Sequence, residues 1–229
     1  MKILFSLVLI FSSVIIASAQ ERVIDKSEFD AMLAGGYGHQ LKWKGEKYRM
    51  TVTTSSTFEG RPQTDWASKS INEYGTSAET RGIYTSVLGG KPNPTRETLI
   101  IGNWVYTRSG SDSWTRKEYV APGPAKEKEE SNYKILSSQA EYRYLGQGKL
   151  GDRSARIYVK TERQTKFNQK SGESVETEHE NRYWVDATGT IIKNQFNSET
   201  RGKSTTRTSV TMEWELDPSI TFTVPEIAP

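Results

Sequence analysis

The chain has 229 residues, no cysteine, two histidines, and 31 lysines and arginines against 28 aspartates and glutamates, for a formal charge of +3. Disulfides, thiolate metal sites and cysteine nucleophiles are therefore excluded, and so near a charge balance argues against nucleic acid as a partner. A mean hydropathy of −0.69 with 10% aromatic residues suits a sheet that keeps one face in water.

The first elements in the chain are a leader and a helix. Lys2, the apolar run Ile3 to Ile16 and the small residues Ala17-Ser18-Ala19 predict a secretory signal over residues 1–19, and an address in the periplasm or outside the cell. The run is shorter than the roughly 20 apolar residues a membrane anchor needs, and no cysteine follows it for lipid attachment. Removing the leader takes away only Lys2, leaving +2 on residues 20–229, which are expected to form a single domain. Asp25 or Ser27 can cap a short helix in which Phe29, Met32 and Leu33 recur at helical spacing and Gly35-Gly36 end it.

From Glu46 the period becomes two. Tyr48, Met50, Val52, Thr54, Ser56 and Phe58 alternate with Arg49, Thr51 and Thr53, a first strand closed by Glu59-Gly60-Arg61-Pro62. Further strands are predicted over 64–74, 78–87, 96–101 and 104–108, with Gly102-Asn103 as a two-residue hairpin turn. Ser109 to Asp112 reverse the chain before Trp114, and the stretch 121–138 is read as a connection, carrying either a short helix or a loop. Five strands follow, over 142–146, 154–163, 177–186, 190–200 and 205–216, joined by connections too short for anything but antiparallel neighbours. In the last of them Val210, Met212, Trp214 and Leu216 alternate with Thr211, Glu213 and Glu215, giving one apolar and one polar face.

Several of these pieces resemble the LolA/LolB-like superfamily of bacterial envelope lipoprotein carriers and related lipid-binding proteins. They are Ile100 to Tyr106 followed by Ser113-Trp114, Tyr144 to Gln147 running into Ala155 to Tyr158, Tyr183 to Gly189, and Leu216-Asp217-Pro218. The likeness spans roughly Glu46 to the C-terminus. It implies a mainly β fold, a curved antiparallel sheet or half-open barrel, with one or two short helices over the concave side. The lid helices fall at residues 25–34 and 125–138. The concave face of such a fold holds an acyl chain, a lipid or a lipoprotein.

Catalytic chemistry finds little footing. His179-Glu180-Asn181-Arg182-Tyr183 starts like a zinc-protease motif but has Tyr where the second histidine must stand, and it lies on a predicted strand where a helix is required. His39 is far away in the sequence. Gly35-Gly36-Tyr37-Gly38 follows a helix and not a strand, so it reads as a loop and not a phosphate cradle. No pair of carboxylates stands apart as a glycosidase would need. The expectation is a non-enzymatic, monomeric protein without metal or cofactor, which binds a hydrophobic small molecule, lipid or lipoprotein and touches membranes at most peripherally. The residues expected to line the concave face are Tyr48, Met50, Val52, Phe58, Tyr144, Ile192, Phe196, Val210, Met212 and Trp214. Two alternatives compete: an envelope interaction protein that uses its outer face or an edge strand to bind a protein or polysaccharide, and a carbohydrate binder with Trp66, Trp114 or Trp184 in a solvent-facing row.

Overall fold

Asp25 starts the only α-helix among the described residues of the computed structural model, which describes residues 21–37, 45–76, 79–120 and 132–227. Its carboxylate accepts the backbone N–H of Glu28 and so caps α1 (Lys26–Leu33). Phe29 is the helix's one fully buried residue.

Apart from one 3-10 turn at Pro62–Thr64, the rest of the regular structure among the described residues is strand, in one open antiparallel sheet of thirteen. In chain order these are β1 (Arg22–Val23), β2 (Tyr48–Phe58), β3 (Trp66–Tyr74), β4 (Thr80–Leu88), β5 (Lys91–Pro92), β6 (Arg96–Ile101), β7 (Trp104–Ser109), β8 (Thr115–Glu118), β9 (Tyr133–Leu150), β10 (Arg153–Asn168), β11 (Glu173–Val185), β12 (Ile191–Arg201) and β13 (Thr205–Leu216). The sheet runs β1-β9-β10-β11-β12-β13-β2-β3-β4-β6-β7-β8, with β5 beside β4. Two consecutive meanders are thus joined where β13 pairs with β2 along eleven residues of β2, Tyr48 to Phe58. The sheet does not close on itself, and the expected mainly β, half-open architecture stands.

Local chemistry accounts for the turns that matter. Ile101 pairs with Trp104, so Gly102-Asn103 is the two-residue loop the sequence predicts, with Gly102 at φ 55°. At the β11–β12 turn the Asp186 carboxylate accepts the N–H groups of Thr188 and Thr190 and the Thr188 hydroxyl. The helix C-terminus docks there. Ile191 N–H donates to the Gly36 carbonyl, Tyr37 bridges Ile191, and a Cβ on Gly35 would lie 2.0 Å from the Gly189 oxygen. The glycines after α1 serve this close approach, which fits their reading as a loop.

The stretch 121–138 needs correcting. Residues 121–131 lie outside the described residues, but Tyr133 to Ser138 are the start of β9, an eighteen-residue strand, and carry neither helix nor loop. Pairing with β10 extends the strand there, although residues 133–141 are exposed and show no apolar alternation. β10 likewise runs five residues beyond the predicted Arg163.

The main core lies at one end of the long strands, and Leu99, Val105 and Tyr106 are buried separately on β6 and β7. Ile24, Phe29, Tyr158, Val185 and Ile191 form one buried cluster under α1, and Ala155, Trp184, Ile192 and Trp214 form a second beside it.

Candidate functional site

Residues directly opposite in an antiparallel pair share a face, which fixes the two sides of this sheet. Tyr144, Tyr158, Tyr183, Asn194, Met212 and Val52 lie in one cross-strand row. Phe29 packs against Tyr183 at 5.6 Å and against Tyr142 at 5.0 Å, so this is the side α1 covers. In the neighbouring rows Phe196 stands opposite Val210, and Trp214 opposite Met50.

The ten residues expected from the sequence separate into four groups. Ile192 and Trp214 are sealed in the second buried cluster, with Tyr48, Met50 and Met212 partly buried against it. Tyr144 belongs to the cluster under the helix. Val52, Phe196 and Val210 join Met50 and Met212 as a half-buried apolar band on β2, β12 and β13. Phe58 shares that face but stands six residues beyond Val52, about 20 Å along the strand, opposite Thr206. Of the ten, Ile192 lines one of the five clefts described in this section, a space of about 380 Å³ shared with Arg153, Asp186, Glu215 and Leu216.

Burial tunes the tyrosines of the helix-side face, and hydrogen bonds tune its carboxyl group. Desolvation, with the neighbouring Tyr74 ring stacked at 4.5 Å, pushes the Tyr48 hydroxyl up to about 12. Burial does the same for Tyr183. Towards the open end, hydrogen bonds from Lys160, Ser138 and Gln164 hold the Glu162 carboxyl down to about 2. His179, opposite Glu162 and Ser198, stacks on Phe196 at 5.4 Å and has its Nδ1 buried without a hydrogen-bond partner among the described residues. Burial, aided by Lys166 and Lys160, lowers its pKa. It sits on strand β11, and the described residues hold no group of three or more side chains suited to a metal. His39 lies outside the described residues.

The outer face carries two features that the sequence shows only as charged alternation. The first is a ladder in which Glu215, Arg49, Glu73 and Arg81 stand in one cross-strand row over β13, β2, β3 and β4. Arg49 meets Glu73 at 3.1 Å, Glu215 at 3.1 Å and Asp217 at 2.7 Å. Arg81 continues to Glu97 at 3.4 Å, and Arg108 meets Glu97 at 2.6 Å while lying over the Trp114 ring. The second feature is a set of three abutting clefts of about 570, 470 and 630 Å³ across β9 to β13 and β2, all bordered by Glu178. A fourth cleft, of about 410 Å³, lies between Ser70 and Arg96 on β3, β4 and β6.

Trp66, Trp114 and Trp184 do not form a solvent-facing row. Trp184 is buried and covered by the Lys193 ammonium, Trp66 pairs with Ser56 on the helix side, and Trp114 lies under Arg108.

No family model matches the chain, and no curated protein matches it. Among solved structures it is similar to a LolA superfamily protein from Nitrosomonas europaea, with 9% identity and a TM-score of 0.29 over 82% of this chain and 93% of that one. It is also similar to a DUF1329 family protein from Desulfovibrio piger, with 8% identity and a TM-score of 0.28 over 86% and 94%. The first bears the superfamily name that the sequence resemblance points to, but superpositions this loose carry no functional inference. The class of molecule rests on the chain's own geometry: an open antiparallel sheet with a helix over one end of one face. Among the described residues no helix is long and apolar enough to cross a membrane.

Proposed function

We propose that this protein is a non-enzymatic carrier or sensor of a hydrophobic ligand, such as an acyl chain or lipid, and that it works outside the cytoplasm. The guest would lie on the helix-side face along Met50, Val52, Phe196, Val210 and Met212, with Tyr48 at the packed end where Ile192 and Trp214 are sealed, Tyr144 beside the helix and Phe58 towards the open end. The observation that supports this reading is the band itself, half-buried apolar side chains on three adjacent strands, next to the two sealed clusters and not within them. Each Å² of apolar surface a guest buries there contributes about 25 cal/mol.

Solvent extraction of the purified protein followed by mass spectrometry of the extract tests the reading directly. A lipid recovered from wild type and missing from Val52→Glu, whose carboxylate would face Met212, is the expected result. Empty extracts from wild type, together with no shift in melting when fatty acid is added, would refute it. Export belongs to the same proposal. N-terminal sequencing of the protein recovered outside the cytoplasm should begin at residue 20, and an intact leader would count against it.

A further inference from the structure

We propose that the outer face carries a second binding site, for a neutral oligosaccharide, in the trench across β9 to β13 and β2. The site lies on the opposite side of the sheet from the apolar band, so it is independent of the reading above.

Its shape comes from three cross-strand rows. Gln139, Arg163, Glu178, Glu199, Arg207 and Thr57 stand in register over six strands. The rows on either side centre on Glu176 and Glu180. Glu178 borders all three clefts, Gln139 and Arg163 border two, and Glu199 and Arg201 border two, so the spaces form one channel from the β9 edge to β2. Five strand spacings make it about 24 Å long. An extended chain fits that length better than a compact molecule.

The lining decides the chemistry. Apart from Ala140 its side chains are carboxylates, guanidiniums, amides and hydroxyls, so it offers a guest many hydrogen-bonding groups. Most of its charges are already matched. Arg163 meets Glu178 at 3.4 Å, and Arg201 and Arg207 both meet Glu199, at 2.6 and 3.0 Å. A polyanion or polycation would have to break these pairs. A neutral polyhydroxyl chain needs closely spaced donors and acceptors, and it can use the N–H groups and lone pairs the ion pairs leave over. Asn197, whose carbonyl accepts the Ser209 hydroxyl, keeps its NH₂ group for such a contact.

Isothermal titration of the full chain with cello-, xylo-, malto- and chito-oligosaccharides, at low and at high salt, tests the site. At least one neutral glycan should bind, with an affinity that changes less than about twofold with salt, since no charge is exchanged. Glu178→Ala and Asn197→Leu should each weaken it at least about tenfold, the loss expected when a hydrogen-bonding group is removed from a bound ligand. Both should leave lipid recovery by extraction unchanged. If Glu178→Ala does not fold, Asn197→Leu decides. The site is overturned if no glycan binds, if both variants bind as wild type, or if a polyanion or a peptide binds best.

Discussion

Around α1 the sheet is held by burial, and across β3 and β4 it is held largely by charge, before burial returns at Leu99, Val105 and Tyr106 on β6 and β7. At the first place Phe29, Ile24, Tyr158, Val185 and Ile191 exclude water almost completely. At the second, β3 and β4 contain no fully buried residue, while Arg49, Glu73, Arg81, Glu97 and Arg108 alternate in sign from strand to strand. Glu73 and Glu97 are each only 13% exposed, so their partners matter more than those of surface ion pairs, whose net worth is small. A thin sheet wing with little core can therefore still have a defined register, because a slip of one residue would carry every ladder charge to the opposite face.

The largest effect should come from the buried end. Phe29→Ala removes an aromatic ring packed on two tyrosines and should cost about 3–5 kcal/mol in urea unfolding, while Trp214→Ala, in the second cluster, should do the same. If either costs under about 1 kcal/mol, burial does not hold that end. Next comes the ladder. Arg49→Met leaves Glu73 and Asp217 without their shared partner and should cost about 2 kcal/mol. It should also flatten the dependence of stability on salt; an unchanged salt profile would remove the contrast between the two regions.

Gly35→Ala should cost about 1–3 kcal/mol, because the new Cβ meets the Gly189 carbonyl. Faster hydrogen exchange confined to α1 and the 186–190 turn is the expected signature, and exchange spread evenly over the sheet would contradict the docking. Asp25→Ala removes the cap and should show as faster exchange of the first turn of α1 in the same experiment, a smaller change than Gly35→Ala gives.

The smallest effect is on pH. Glu162 has its carboxyl held from 4.5 down to about 2, so its contribution is complete above pH 4.5 and is lost as the pH falls towards 2. Wild type should lose stability over that window faster than Glu162→Gln. Parallel acid curves would show that Lys160 and Ser138 do not hold the charge.

Legibility followed the range of the interaction. The Asp25 cap, the Gly102-Asn103 turn and the alternation along β2 and β13 act over a few residues, and each stands where the sequence places it. The first half of β9 and all of β8 did not announce themselves, because both are exposed on either side and so have no apolar period. Alternation along the strands points to the candidate residues, and it does put Met50, Val52, Val210 and Met212 together on one face. What it misses is depth. Ile192 and Trp214 are sealed while their neighbours are half open, and the difference depends on what packs above them.

From the sequence alone come the local facts: a short capped helix, strands of period two, tight turns at glycines and an outer face of mixed charge. The pairing of β13 with β2, which places Arg49 against Glu215 across 166 residues of chain, comes only from the tertiary structure. That pairing joins two meanders into one sheet, lays out the charge ladder and carries the outer trench from β13 onto β2. Its physical reason is non-local. Register between distant strands is set by which faces must leave water together and which charges must meet, and neither can be read until the strands lie side by side.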